Sequence, residues 1–249
     1  MPDWERMSLD VTFLGSGDAF GSGGRLQACI ALRWDGQNVL LDCGASSLIA
    51  LRRGGLEPTS VDAILISHLH GDHFGGLPFF VLDQQFSRRE RPLLVAGPPG
   101  LKARTQQAME VLFPGSSATR QRFELQWVEL GERAETDLGS VRVTAYAVPH
   151  ASGAPAYALR VACADKVVAY SGDGAWSEAL VEASADADLF ICEAYTFDRP
   201  VRYHLDYASL CQHRDQLRCR QLVLTHMGRD MLDRAVDTTR AEDGLTLTL

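Results

Sequence analysis

A chain of 249 residues that is 46% hydrophobic and 22% charged is ordinary for a globular protein, and its length suits one large domain or two small ones. The net charge of −8 argues against a broad nucleic-acid footprint, which would be basic. No segment reaches the roughly 18 uninterrupted apolar residues of a membrane span, and the opening Met1 to Met7 has no apolar core of signal-peptide length. The six cysteines are scattered without a CxxC pair, so they read as mostly buried free thiols rather than as a disulfide framework. Together these features predict a cytoplasmic protein that makes no use of a membrane.

In chain order, apolar periodicity predicts strands over 9–14, 28–34 and 38–41, a helix over 46–53, and a strand over 61–66. A helix over 74–86, a strand over 93–96 and a helix over 101–113 follow. Next come consecutive strands over 123–130, 141–148, 156–163 and 166–170. The pattern ends with a helix over 175–184, a strand over 189–192, a helix over 207–219, a strand over 221–225 and a helix over 229–236. Several strands in succession do not fit a simple doubly wound sheet. Two mixed sheets packed face to face, with helices outside, bury such strands on both sides. The Pro- and Gly-containing stretches are short, so residues 1–249 are expected to form a single domain. The basic runs Arg88-Arg89-Glu90-Arg91 and 214–220 alternate with acids or apolar residues and read as solvated helix faces.

The strand over 61–66 leads into Ser67-His68-Leu69-His70-Gly71-Asp72-His73, which packs three imidazoles and a carboxylate into six positions. A His-rich turn can be a solvated loop, but the spacing here counts against that. His68 and His70 project to one side of an extended segment, while Asp72 and His73 begin a helix and can turn toward a second point. The run therefore suggests two neighbouring metal positions. Imidazole with carboxylate and no thiolate suits zinc, with manganese or iron as alternatives. Three further donors follow apolar strands: His150 after 141–148, Asp173 after 166–170 and His226 after 221–225. Strand ends are where short loops meet and sites are built. Gly71 and Gly172 are expected to permit tight turns beside the metals.

At this point the chain resembles the metallo-β-lactamase fold superfamily, whose HxHxDH signature is His68-x-His70-x-Asp72-His73. Phe13-Leu14-Gly15-Ser16-Gly17-Asp18, Leu40-Leu41-Asp42-Cys43-Gly44 and Ser171-Gly172-Asp173 match it too. The resemblance implies a four-layer αββα sandwich and a dinuclear zinc site. By position, it implies His68, His70 and His150 on the first ion, Asp72, His73 and His226 on the second, and Asp173 bridging both. Asp42 takes the place of a carboxylate that orients a ligand histidine from behind.

A closer resemblance is to the ribonuclease Z-like branch. Glu193-Ala194-Tyr195-Thr196-Phe197 looks like its Glu-Ala-Thr-Phe element, His204 falls where its non-ligand catalytic histidine lies, and Glu193 where the acid supporting that histidine lies. The tRNA-processing enzymes carry a long arm between the positions of His150 and Asp173, whereas here 22 residues separate them, enough for a hairpin. Met227-Gly228-Arg229-Asp230 also lacks their Arg-Tyr ending. With the acidic charge, these departures argue against long structured RNA as the substrate.

Two divalent ions about 3.5–4 Å apart can share a water and lower its pKa from 15.7 toward about 7, which supplies hydroxide at neutral pH. No GxSxG elbow supports serine chemistry instead. The expected activity is hydrolysis of phosphodiester bonds in a small or nucleotide-type substrate by metal-bound hydroxide, with Asp72, His204 and Glu193 as the catalytic groups. An arylsulfatase or lactonase on the same centre is the first alternative, and a non-catalytic metal-binding sensor or interaction domain the second. For His204 the competing reading is an exposed surface histidine, for Glu193 a strand-end carboxylate paired with a surface base, and His213 is expected to face solvent. Many members of the superfamily pair as homodimers, and that remains open here.

Overall fold

Strands that are apolar on both faces need cover on both sides, and the chain provides it in four layers. The computed structural model describes residues 8–249; the opening segment 1–7, read above for targeting signals, lies outside the described residues. In chain order the strands are β1 (Asp10–Gly15), β2 (Cys29–Trp34), β3 (Gln37–Leu41), β4 (Ala63–Leu65), β5 (Leu93–Gly97), β6 (Leu125–Glu129) and β7 (Glu135–Asp137). They continue with β8 (Arg142–Val148), β9 (Ala156–Cys163), β10 (Lys166–Tyr170), β11 (Leu189–Glu193), β12 (Gln221–Thr225), β13 (Thr239–Arg240) and β14 (Thr246–Thr248). The helices are α1 (Ser47–Arg53), α2 (Gly71–Phe74), α3 (Leu77–Phe86), α4 (Leu101–Leu112), α5 (Glu178–Ser184), α6 (Tyr207–Gln212) and α7 (Arg229–Leu232).

The strands form two seven-stranded mixed sheets, ordered β14-β1-β2-β3-β4-β5-β6 and β13-β12-β11-β10-β9-β8-β7. In the first, β3, β4, β5 and β6 run parallel; in the second, β10, β11, β12 and β13 do. Because β9 is antiparallel to both neighbours, β8 runs the same way as β10. The C-terminal ends of β8, β10, β11 and β12 therefore share one edge of their sheet.

Alternation along each strand assigns its residues to two cores. Ile30 and Leu32 of β2, Leu159 and Val161 of β9, and Leu189 and Ile191 of β11 meet between the sheets with Phe13. Cys29, Ala31 and Leu40 face the other way, onto Leu51, Leu77, Phe80 and Val81 of α1 and α3. Ala158, Phe190 and Cys192 pack on Ala179, Leu180, Ala183, Leu210 and Met231 of α5, α6 and α7. Phe13, Phe80 and Phe190 are each fully buried, one per core. Each contributes about 1.5–3 kcal/mol by leaving water.

Several boundaries differ from the expected ones, each for a local reason. The helix expected over 74–86 is two: α2 ends at the adjacent glycines Gly75 and Gly76, and α3 restarts at Leu77 with Pro78 in its first turn. The helix expected over 175–184 begins only at Glu178, because Ser177 before it is extended. The helix expected over 207–219 stops at Gln212, and a separate 3-10 turn spans Arg214–Gln216. Its start is set by Asp206, whose side chain accepts from the Ser209 N–H at 2.8 Å. The helix expected over 229–236 is the single turn α7, because the Arg240 guanidinium takes the Leu232 and Arg234 carbonyls at 3.3 and 2.9 Å. β7, β13 and β14 had no apolar signal to find; they are short strands at sheet edges.

The reading of Arg88 to Arg91 as a solvated helix face is wrong for Arg89. The helix ends at Phe86, and Arg89 is buried. Its guanidinium donates to the carbonyls of Thr59, Val61, Arg91 and Pro92 and to Gln84 Oε1. It ties the loop after α3 to the chain entering β4. Of the six thiols, Cys29, Cys43, Cys163 and Cys192 are buried, Cys219 half-buried and Cys211 exposed, and none is bonded to another. Among the described residues no helix is long and apolar enough to cross a membrane.

Candidate metal centre

The parallel β3 and β4 end side by side, which places Asp42, one residue past β3, against Ser67 and the loop that carries His68 and His70. Asp42 is fully buried and accepts from the Ser67 N–H at 2.7 Å, Ser67 Oγ at 2.8 Å, the Tyr170 hydroxyl at 2.9 Å and His73 Nδ1 at 2.6 Å. His73 thus holds a proton on Nδ1 and turns its Nε2 to the site. Ser67 Oγ, having donated to Asp42, accepts from His68 Nδ1 at 3.0 Å and leaves His68 Nε2 to face the site as well. One buried carboxylate therefore fixes both imidazoles, one directly and one through a hydroxyl.

His150, two residues past β8, donates from Nδ1 to the Tyr203 carbonyl at 2.8 Å, and His70 donates from Nε2 to the Ala151 carbonyl at 3.0 Å. Their remaining nitrogens, His150 Nε2 and His70 Nδ1, face each other at 2.9 Å. Two nitrogens whose rings already donate on the far side present lone pairs to one point, an arrangement that calls for a cation. His68, His70 and His150 form one such group, and Asp72, His73, Asp173 and His226 a second.

In the second group Asp173 Oδ2 lies 3.3 Å from His73 Nε2 and 3.2 Å from His226 Nε2, with His68 Nε2 of the first group at 3.9 Å. Asp72 Oδ2 is 3.3 Å from His73 Nε2 and 3.2 Å from His226 Nε2. His68 Nε2, His73 Nε2 and Asp173 Oδ1 are buried without a hydrogen-bond partner among the described residues. Unpaired buried polar atoms are costly, so their convergence fits an ion between them. The donor chemistry, imidazole and carboxylate without thiolate, suits a borderline divalent metal.

The charges balance accordingly. Burial, reinforced by His73, keeps His68 well below its usual pKa and so neutral. Burial opposes charge on His73 and His226, yet the carboxylates around them, Asp173 foremost, outweigh it, raising His73 well above its usual value and His226 to about 9. Burial likewise opposes ionisation of Asp72 and Asp173, but their histidine neighbours hold both below the usual carboxylate range. Three of the nine non-glycine residues with positive φ among the described residues lie here: Asp42, Tyr203 and His226, at 60, 68 and 53°. Gly172 (φ 57°) does need its glycine, since a Cβ would meet the Tyr157 carbonyl at 2.7 Å. Gly71 does not: it lies in α2 with open space around it, against the expectation of a tight turn.

Glu193 closes β11 and is fully buried, accepting from the Gly174 N–H at 2.6 Å and from His204 Nδ1 at 2.9 Å. Burial, together with Asp173, raises the Glu193 pKa against the pull of His204. Burial would lower His204, but Glu193 prevails and raises it. His204 lines a cavity of about 300 Å³ together with Ala19, Phe20, His70, Asp72, Asp173, Tyr195 and His226. His213, expected to face solvent, is half-buried and stacks on Trp176 at 4.3 Å, away from this cavity. Larger grooves exist, one of about 540 Å³ along Asp137, Arg142 and Lys166, but none of the metal-type groups lines it.

The chain thus brings all the expected donors together. Ser67, Tyr170, Tyr195 and Phe20 were not singled out by sequence. Ser67 and Tyr170 act through contacts with residues far along the chain, which no local pattern reveals. Tyr195 sits inside the quoted Glu193–Phe197 run, and Phe20 follows a glycine-rich opening that signals a close turn.

This fold and this donor set define a metallo-β-lactamase-fold protein of the ribonuclease Z-like hydrolase class. A structural likeness covers nearly the whole chain: human tRNase Z, short form, has a TM-score of 0.79 at 26% identity, over 96% of this chain and 98% of that one. A ribonuclease Z of Anoxybacillus flavithermus is 25% identical over 93% of this chain and 92% of its own length. A ribonuclease Z of Agathobacter rectalis is 30% identical over 61% of this chain, but the match spans only 49% of that protein. More particularly, the chain belongs to the family described as Anti-Pycsar protein Apyc1, whose model matches residues 9–244.

Proposed function

We propose that the protein hydrolyses phosphodiester bonds in a small or nucleotide-type substrate with two divalent ions, zinc in the first instance. The observation that carries this reading is Asp173 Oδ2 lying within 4 Å of Nε2 of His68, His73 and His226, donors from both groups. His68, His70 and His150 would hold one ion, Asp72, His73 and His226 the other, and Asp173 would be shared. Such a pair of ions supplies a water of lowered pKa and neutralises charge on the phosphoryl oxygens. Asp42 keeps His73 and, through Ser67, His68 in the tautomers that present Nε2. His204, oriented by Glu193 through Nδ1, leaves Nε2 to hold a proton for the departing oxygen at the cavity wall. The Tyr195 ring, 4.8 Å from that of His204, shields this imidazole from water.

Two features support a small substrate over a long RNA. The net charge is −8, and between His150 and Asp173 the chain forms only the β9–β10 hairpin, turned by Ala164 and Asp165. The ribonuclease Z relatives make RNA the alternative that an experiment must include.

Bis-p-nitrophenyl phosphate, cyclic nucleotides, a precursor tRNA, aryl sulfates and acyl-homoserine lactones offered to zinc- and manganese-loaded protein would decide. Turnover of sulfates or lactones alone refutes the phosphodiester reading, and preference for the precursor tRNA refutes the small-substrate part. Elemental analysis should find about two ions per chain, the number two neighbouring ligand sets require, and a sharp fall in Asp173→Ala; one tight ion in the wild type refutes the shared carboxylate.

A further inference from the structure

Phe20 has 84% of its surface exposed, yet the loop that carries it is tied down on both sides of the ring. The buried Asp18 carboxylate accepts from the Phe20 N–H at 3.2 Å, the Ser22 N–H at 2.8 Å and Ser22 Oγ at 2.7 Å. Gln27 reaches the neighbouring Ala19 carbonyl at 3.1 Å, and its other amide atom takes the Ala45 N–H at 2.8 Å. Gly21 then turns the chain back at φ 67°, a conformation side chains rarely adopt. A buried acid and a bridging amide thus hold one apolar ring in the open.

Single exposed hydrophobics need no explanation in themselves. Phe86 and Val111 are about as exposed, at 79% and 81%, but neither lines the cavity at the metal donors. Phe20 does, beside Asp72, Asp173 and His226. Of the two aromatic rings there, Tyr195 is already packed on His204 at 4.8 Å and lies 6.0 Å from His226. Phe20 is the one whose face is free for a ligand.

We propose that Phe20 is a specificity-determining residue, a fixed platform on which a planar aromatic ring of the substrate stacks while its phosphate lies at the ions that Asp72, Asp173 and His226 would hold. This rests on the reading of a nucleotide-type phosphodiester substrate. Every nucleobase has a π-face, so such a platform selects for a base without reading which base it is.

Equilibrium binding of AMP and of ribose 5-phosphate to the full-length, zinc-loaded chain separates the ring from the phosphate. Phe20→Ala should weaken AMP at least about fivefold, the lower end for base–aromatic stacking, and leave ribose 5-phosphate unchanged; Phe20→Trp should restore AMP. With a nucleotide substrate, KM should rise in Phe20→Ala and kcat stay near wild type. Equal losses for both ligands, no loss for AMP, or no AMP binding by the wild type overturns the proposal. So does a change of oligomeric state in Phe20→Ala by sedimentation, which would make the ring a contact with a second copy. If the wild type discriminates AMP through Phe20 but cleaves no phosphodiester, the proposed function fails and the platform stands.

Discussion

Replacing Asp42 with Asn changes one atom in a fully buried group and should weaken both of the proposed metal positions. The backbone N–H of Ser67 is a fixed donor 2.7 Å from Asp42 Oδ1, so the Asn carbonyl must face it. The amide NH₂ then falls where Oδ2 now accepts from His73 Nδ1 at 2.6 Å, and two donors meet. His73 relieves the conflict by moving its proton to Nε2, the nitrogen that faces the metal position. Ser67 Oγ donates to that same Oδ2 at 2.8 Å, so its hydroxyl also loses its acceptor and can turn to donate to His68 Nδ1, which moves the His68 proton to Nε2 as well. Disturbing the partner of a ligand histidine typically costs 10–100-fold in metal affinity, equivalent to about 1.4–2.7 kcal/mol. Zinc competition against a graded series of chelators should therefore show both proposed positions weakened, each by roughly 10–100-fold. A thermal melt of chelator-treated protein checks that the variant is folded; a residual buried polar mismatch of about 1–3 kcal/mol corresponds to a loss of roughly 2–12 °C. Two unchanged zinc affinities in folded Asp42→Asn protein would refute the tautomer argument.

Further outcomes follow from other parts of the molecule. Glu193 raises the His204 pKa above its ordinary value, so a proton-donating His204 stays charged below that raised pKa and activity falls as pH rises through it. In Glu193→Gln burial is no longer outweighed, and the falling limb of kcat against pH should move to lower pH; an unmoved limb rules His204 out as the titrating donor. Arg89→Met leaves the Thr59, Val61, Arg91 and Pro92 carbonyls without their donor and should destabilise by about 3 kcal/mol, or roughly 6–12 °C in Tm, with substrate affinity unchanged. Burial pushes the Cys29 and Cys163 thiols up to about 12 and Cys43 and Cys192 well above normal, so a thiol reagent at neutral pH should reach only Cys211 and Cys219 until the chain unfolds. Rapid reaction of four or more thiols in the native protein would contradict this burial.

The long apolar strands were legible because both faces are covered, which writes near-continuous hydrophobic runs into 28–34, 156–163 and 221–225. The edge strands β7, β13 and β14 were not, since a short strand at a sheet margin buries little and needs no apolar alternation. The overlong helices failed for a similar reason. Polar stretches such as 213–219 and 233–236 carry helix-compatible residues, but their carbonyls are taken from elsewhere: Arg218 by the Asp186 N–H, Leu232 and Arg234 by Arg240. Arg89 misled because arginine in a charged run is usually solvated; five acceptors gathered from separate segments are what bury it here.

The sequence by itself determined the donor types, their spacing over His68 to His73, and the placing of His150, Asp173 and His226 just past apolar strands. Metal ligands must be particular side chains at strand ends, and both requirements are local. Only the tertiary structure decided how those donors are held: Asp42 reaching His73 and Ser67, the Tyr203 carbonyl turning His150, Glu193 meeting His204, and Asp18 holding Phe20 at the cavity. Hydrogen bonds act over about 3 Å whatever the sequence separation, so which groups come within that range depends on how the two sheets pack.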